Sequence, residues 1–297
     1  MSRIDHQDIR IGTMAGYDNG PDYIRQILEH GFESFEITFS PHFEGASGLK
    51  EGAKRILEAC EGEAVINAIG VYGNPLQDER CIPTWELLIK NAKEFGATVV
   101  CGFAGAQEDR PVDENIPQFK KVFTPLAKLA ADHGVKIAFE NCDMGGDWRH
   151  PRWNIAHAPA AWDLIFDAVA GDTIGLEWEP CHQMVSLIEP IAQLRKYVSR
   201  VYHLHGKDAT VCWDVIESAG IRGGKEYIYH RTPGFGDSNW TDIITILRQG
   251  GFKGSIDIEG WHDPIYRDEL EMTGQVYGLN YLKACRGGDY VPNPVTK

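Results

Sequence analysis

The sequence lacks several things that would place it quickly. No apolar run reaches the roughly 18 residues that a membrane-crossing helix needs, and the opening residues MSRIDHQDIR contain no apolar stretch of a secretory leader. There is no CxxC pair among the seven cysteines, Cys60, Cys81, Cys101, Cys142, Cys181, Cys212 and Cys285. An odd count without paired spacing is a poor disulfide framework and a poor structural zinc site. It points to free thiols in a reducing compartment, so a cytoplasmic location is expected. The Asn239-Trp240-Thr241 tripeptide is then a helix cap and not a glycosylation acceptor. Positive charge is scarce: 29 Lys plus Arg stand against 43 Asp plus Glu, a net charge of −14. That balance argues against a polyanionic partner, whether nucleic acid or an anionic membrane face. No GxGxxG follows an early strand, which disfavours a dinucleotide-binding Rossmann fold.

Apolar residues make up 43% of the 297 positions, and 31 residues are aromatic, enough to exclude a disordered chain. Short β-rich runs alternate with amphipathic stretches. Strands are predicted over 9–14, 34–39, 64–71, 97–103, 136–141, 173–179, 201–205 and 255–259. Helices are predicted over 21–29, 49–60, 84–95, 118–133, 159–169, 188–198, 240–249 and 268–285. Gly31, Gly96, Gly134 and Gly250 serve as stops. Eight strand–helix units imply parallel strands with crossover helices. At this length they favour a closed α/β barrel of the (β/α)8 TIM type, with residues 1–297 as one domain and no linker or repeat.

The last four strands end in acids or imidazoles: Glu140 closes IAFE, Glu177 and Glu179 close IGLEWE, His203 and His205 close VYHLH, and Asp257 and Glu259 close IDIE. Side chains at i and i+2 share a face, so each pair projects together, one member deeper than the other. A single Glu at a strand end is ordinarily solvated. Four such residues at equivalent positions on consecutive parallel strands converge on the face where barrel active sites form. Burying them without counter-charge is costly, and a divalent cation removes that cost. The set Glu140, Glu179, His205 and Glu259, three carboxylates and one imidazole, suits Mn²⁺, with Mg²⁺ or Co²⁺ as alternatives. Glu177 is the competing ligand on strand six.

At these residues the sequence resembles the xylose isomerase-like TIM-barrel superfamily of sugar isomerases and epimerases. The matching motifs are AFEN with Glu140, EPCH with Glu179 and His182 three apart, HGKD with His205 and Lys207, IDIEG with Glu259, and the PGFGD loop before Asn239-Trp240. Two departures stand out. Glu179 occupies a position where Asp is usual. The segment 209–213 also lacks the Arg that ketose 3-epimerases carry after the strand-seven His; Arg222 and Arg231 are the nearby substitutes. The resemblance implies chemistry on a polyhydroxy carbonyl compound, with a metal acting as Lewis acid on a carbonyl and an adjacent hydroxyl. It implies Glu140 and Glu259 as the acid–base pair across the sugar, and His182 and Lys207 as binders of substrate oxygens. Trp148, Trp153, Trp178 and Trp261 are candidates to cover the sugar's apolar face, and His203 and Asp257 to hold ligands in place. Family habit implies a homo-oligomer.

One deprotonated intermediate leads to two outcomes. Reprotonation gives a metal-dependent isomerase or epimerase of a keto-sugar. Loss of a β-group gives a lyase, inosose dehydratase-like or cleaving 3-keto-glycosides as in C-deglycosylation. The long segment 141–157, rich in Trp and His, suits a glycoside or aryl aglycone. The same fold supports metal-dependent endonucleases, which the charge disfavours, and a non-catalytic sugar-binding protein would lack an activating metal. Cys142 and Cys181 adjoin presumed ligands, with packing as their default role. The acidity favours a non-phosphorylated sugar, since it gives no long-range attraction to a phosphate.

Overall fold

The computed structural model describes residues 8–294; residues 1–7, which carry most of the segment read for a leader, lie outside them. The chain forms strands β1 (Arg10–Gly16), β2 (Ser34–Phe39), β3 (Val65–Val71), β4 (Val99–Gly102), β5 (Lys136–Glu140), β6 (Ile174–Trp178), β7 (Val201–Gly206), β8 (Asp208–Val211), β9 (Ile228–Arg231) and β10 (Ser255–Ile258). Eight of them close into a parallel barrel in chain order, with β10 pairing β1 through Arg10↔Ser255 and Ile11↔Ile256. The exceptions, β8 and β9, make an antiparallel hairpin outside the barrel. Around the barrel run α1 (Gly20–Ile27), α2 (Leu49–Ala59), α3 (Ile82–Asn91), α4 (Val112–His133), α5 (Pro159–Ala168), α6 (Pro180–Val185), α7 (Pro190–Tyr197), α8 (Trp213–Ala219), α9 (Trp240–Gln249) and α10 (Glu271–Arg286). No helix among the described residues is long and apolar enough to cross a membrane. All seven cysteines are free.

All eight predicted strand–helix units are present, and the (β/α)8 barrel follows from them. The differences are local. The helix expected over 118–133 begins six residues earlier, at Val112, so Pro117 as well as Pro125 lies inside it, and its added first turn buries Val112 and Asn115. Three elements carry no sequence signal of their own. Helix α6 spans six residues, too few for a 3.6-residue period to register. The strands of the β8–β9 hairpin have four residues each, too short for alternation to register, and α8 is a single short helix with no buried residue. Asn239 does cap α9, its Oδ1 accepting from the Asp242 N–H at 3.1 Å.

The two faces of the barrel strands differ in chemistry. In β2, SFEITF, Phe35 and Ile37 join the main apolar core with Ile69, Val100, Phe139, Leu176, Leu204 and Ile256, and that core includes the helix residues Trp85, Phe123, Trp162 and Leu247. Its alternate residues Ser34 and Glu36 instead meet Asp257 and His203 from across the barrel. Inside, the apolar content shrinks to a small separate cluster of Ala68, Val99, Cys101 and Ala138. The polar interior is crowded enough that Gly70 on β3 has no alternative residue: a Cβ there would run into the Glu36 carboxylate and the Tyr72 ring.

The last helix is tied to the residues that lead into β1 and β2. Arg286, at the end of α10, donates to both oxygens of Glu33, at 2.6 and 3.0 Å, and to the Ile9 carbonyl at 2.7 Å. Glu33 also accepts from the Ile11 N–H at 3.0 Å. Both side chains are buried. Burial alone would raise the Glu33 carboxyl, but the Arg286 guanidinium outweighs it and holds the group below its ordinary value. A carboxyl lowered on folding contributes stability above its unfolded pKa and loses it as pH falls through the folded value. Arg286→Met should therefore cost about 3–5 kcal/mol of unfolding free energy at neutral pH, with the difference from the unmodified protein shrinking in acid; urea denaturation at several pH values measures it.

Candidate active site at the barrel mouth

The C-terminal ends of the strands hold two layers of ionisable groups. The outer layer contains Glu140 at the end of β5, Glu179 just after β6, His205 and Lys207 on and after β7, and Glu259 just after β10. His205 Nδ1 is 3.5 Å from Glu259 Oε2 and 3.9 Å from Glu140 Oε1. Lys207 Nζ donates to Glu259 Oε2 at 3.0 Å and lies 3.3 Å from His182 Nε2. His182 Nε2 in turn is 2.8 Å from Glu179 Oε1, and His262 Nε2 is 2.8 Å from Glu259 Oε1. The inner layer consists of Glu36, Tyr72, Glu177, His203 and Asp257. Glu140, His182, His205, Lys207, Glu259, His262 and Tyr72 line a cavity of about 810 Å³, within the range of small-molecule sites, and the rest of the inner layer lies buried beneath it.

Local structure explains the placement. Glu179 is the extended residue before α6, and Pro180 pre-sets the first helical φ. One short turn later His182 comes back over Glu179. Asn141 ties the ends of β5 and β6 together: its Nδ2 donates to the Glu179 carbonyl at 3.0 Å, and its Oδ1 accepts from the Glu179 N–H at 2.8 Å. Asn154, fully buried in the long segment after β5, makes four bonds. It donates to the carbonyls of Glu140 (2.8 Å) and Cys142 (2.7 Å) and accepts from the N–H groups of Ala104 and Ala156 at 3.1 Å each. In HGKD, Asp208 is structural: it accepts from the Trp240 indole at 3.0 Å and the Ser238 N–H at 3.1 Å.

The outer carboxylates are pushed in opposite directions. For Glu140, burial and the neighbouring Glu259 raise the carboxyl well above its ordinary value. For Glu259, burial opposes ionisation, but Lys207, His205 and His262 outweigh it and hold the group well below. Burial would likewise lower Lys207, yet Glu179 and Glu259 keep it firmly charged. His230, on β9 at the cavity wall, is depressed to about 3 by burial and by Lys207, so it is neutral. Two carboxyls with environments that separate their affinities for protons are the arrangement that divides acid from base.

A family model described as xylose isomerase-like TIM barrel matches residues 24–285. The chain belongs to that family. An inosose dehydratase from Clostridium botulinum (strain Alaska E43 / Type E3) is 25% identical over 167 residues, covering 53% of this chain and 50% of that protein. An inosose isomerase from Halalkalibacterium halodurans is 24% identical over 212 residues, 69% of this chain and 69% of that one. The chain thus spans about half the length of the first relative and about two thirds of the second. Among solved structures, the apo form of a 3-keto-D-glucoside 4-epimerase from E. coli shares the fold with a TM-score of 0.67 at 17% identity, covering 94% of this chain and 100% of that chain. The relatives are enzymes of the sugar isomerase, epimerase and dehydratase kind.

Within this xylose isomerase-like barrel, the donor set suits a hard divalent cation. One ligand atom each from Glu140, His205 and Glu259 lies within 4.8 Å of the others. His205 Nδ1 and Glu179 Oε2 are buried and make no hydrogen bond. Oxygen-rich coordination with one imidazole fits Mn²⁺ or Mg²⁺ better than a thiolate-seeking ion. Glu179 stands beside His182 and Lys207, outside the three-residue group, and the Lys207 ammonium shares its carboxylates. Glu177 is in the inner layer.

The tryptophans divide. Trp153 and Trp261 line the cavity, at 42% and 47% exposure, whereas Trp148 does not. Its indole donates to Asp113 Oδ1 at 3.2 Å and its ring packs on the core, because the segment after β5 folds back towards α4. Trp178 is wholly within the core. Cys142 lines the cavity, but burial raises both its thiol and that of Cys181, which disfavours a nucleophilic role. Arg231 is held by Asp263 at 3.0 Å, and no Arg among the described residues lines the cavity. Met144, Trp153 and Trp261 line the mouth with left-handed φ of 50°, 60° and 55°, a strained conformation for side-chain-bearing residues that concentrates at ligand contacts.

Sequence reasoning did not find Glu36, Tyr72 or His230. Glu36 had a signal, the polar phase Ser34-Glu36-Thr38 of an otherwise apolar strand. His230 sits on the hairpin, which had none. Asn154→Ala should lower the unfolding free energy by about 3 kcal/mol or more, since it leaves several buried backbone groups unpaired; thermal and denaturant unfolding of the variant check this.

Proposed function

We propose that the protein is a divalent-metal-dependent isomerase or epimerase of a keto-sugar or related polyhydroxy carbonyl compound. The observation that carries this reading is the pair Glu140 and Glu259, driven in opposite directions and flanking His205 at the floor of a sugar-sized cavity. Glu140, His205 and Glu259 would hold the metal, with Glu179 as the fourth ligand and Mn²⁺ the first choice. When bound, such an ion supplies Lewis-acid polarisation of a carbonyl and its neighbouring hydroxyl. Glu259, ionised, takes the proton from the carbon beside the carbonyl at Oε1, and Glu140 returns a proton on the other side. Lys207 and His182 donate to substrate hydroxyls and fix the sugar's orientation. Trp153, Trp261 and Met144 cover its less polar side and exclude water. Among the described residues Lys207 is the one Lys or Arg lining the cavity, and it is already engaged by Glu259, so the cavity suits an uncharged sugar better than a sugar phosphate.

The dehydratase relative favours a second reading, in which the same proton removal is followed by loss of a β-hydroxyl or, in a 3-keto-glycoside, of the aglycone. The two differ only in the fate of the deprotonated sugar. A panel of free ketoses, inososes and 3-keto-glycosides with added Mn²⁺, followed by NMR in D₂O, separates them. Deuterium entering beside the carbonyl without elimination marks the isomerase or epimerase, and an eliminated product marks the lyase. Glu140→Gln and Glu259→Gln should each cost about 10²–10⁴-fold in turnover; near-normal activity in either variant removes that residue from the acid–base role.

A further inference from the structure

Beneath the mouth lies a second set of ligand atoms that the proposed proton transfers do not use. Glu36 on β2, Glu177 on β6 and His203 on β7 are completely inaccessible to solvent, and His205 nearly so. One ligand atom from each lies within 4.8 Å of all the others. His205 Nε2 is 2.9 Å from Glu36 Oε2 and 3.1 Å from Glu177 Oε1. His203 Nε2 is 3.3 and 3.9 Å from the same two oxygens and 3.4 Å from Oδ2 of the buried Asp257, which stands outside the four-residue group. Two imidazole nitrogens and two carboxylate oxygens therefore surround one point, each nitrogen facing both oxygens.

These separations do not describe a hydrogen-bond network. Only the His205–Glu36 approach has hydrogen-bond geometry; Glu177 Oε1 and His203 Nε2 are fully buried and make no hydrogen bond at all. Close polar atoms that do not bond to one another are what the ligands of a common ion look like without the ion. A tetrahedron of N and O ligands about 2.0–2.1 Å from Zn²⁺ has edges of about 3.3 Å, and the four measured separations bracket that value. The Tyr72 hydroxyl, with one proton to donate, lies between the outward-turned oxygens, 2.6 Å from Glu36 Oε1 and 2.9 Å from Glu177 Oε2, and 3.3 Å from His205 Nε2. That contact aims Glu36 Oε2 and Glu177 Oε1 at the imidazoles, and the absent side chain at Gly70 leaves the space for it. The two ligand carboxylates offset a divalent ion when the imidazoles are neutral, and Asp257, beside His203, stands outside the ligand group.

We propose that Glu36, Glu177, His203 and His205 form a tetrahedral divalent-metal site of the zinc type inside the barrel, beneath the substrate cavity. The set has four protein ligands and no route for substrate, so the ion's role is structural: it ties β2, β6 and β7 together across the interior. His205 is common to both layers, with Nε2 facing the inner ligands and Nδ1 the mouth; filling both sites at once requires it to give up its ring proton and bridge the ions as an imidazolate. The inner site does not depend on the substrate assigned above.

Crystals of the full-length, unmodified protein grown with Zn²⁺, and measured for anomalous scattering at the zinc edge, read the site directly. A peak within about 2.0–2.2 Å of Nε2 of both His203 and His205 is expected. A peak confined to Glu140, His205 Nδ1 and Glu259 overturns the inner site while leaving the proposed function standing. A peak confined to the inner ligands supports the inner site and counts against the mouth site. In solution, protein freed of metal and titrated with Co²⁺ should develop the intense visible absorption of a tetrahedral ion. His203→Gln should abolish that absorption and remove one equivalent of bound metal, whereas Glu140→Gln should retain the absorption. Equal metal content and equal spectra in His203→Gln and the unmodified protein would overturn the proposal.

Discussion

Carboxylates turned inward from several strands of one barrel, in a space that water does not reach, repel one another and resist burial. Each such ion carries an effective penalty of several kcal/mol unless a partner of opposite charge is within reach. Much of this structure is an answer to that constraint. The Lys207 ammonium stands among Glu140, Glu179 and Glu259, and His205 is wedged between the outer and inner pairs. Glycine at position 70 leaves room for the inner carboxylate. The apolar residues that would ordinarily fill a barrel are displaced to its outside, where the strands and helices share the main core.

The same constraint connects stability with chemistry. Groups that are mutually repulsive in the free protein are held in place by backbone clamps remote from the charges themselves. Asn141 and Asn154 fix the ends of β5 and β6 through backbone atoms, so the carboxylates need not contribute to their own positioning. An array built in this way can give up a proton or accept a cation without rearranging the scaffold. That is the property an acid–base site requires.

How much of this was legible in the sequence depended on periodicity. The eight units stood out because the strand segments carry apolar runs and the helices end at glycines. The outer layer was legible because its acids and imidazoles fall at strand ends, the place where a parallel barrel concentrates function. Glu36 escaped because it lies in the middle of an early strand, where a single acid between Phe35 and Ile37 reads as a solvent-facing residue of a half-buried strand. Only closure of the sheet turns that face inward. His182, three residues after Glu179, was legible from its spacing, although the six-residue helix that carries it was not. Trp148 and Trp153, five positions apart in one irregular segment, carried the same expectation, and the path of that segment sent them to different places. No period exists there to separate them.

The last strand to be synthesised closes the barrel against the first, and its register partners Arg10 and Ser255 are separated by almost the whole chain. The Arg286 anchor lies later still. During synthesis, then, the growing chain carries an unclosed row of parallel strands, the kind of edge that recruits other chains. Its exposed inner face at that stage bears Glu36, Glu140, Glu177 and Glu179 at close spacing, with Asp257 and Glu259 yet to arrive. Like charges along an open sheet oppose stacking with a second copy. Closure by β10 is therefore the step that gathers the cavity, bringing Asp257 and Glu259 up to the acids of the earlier strands.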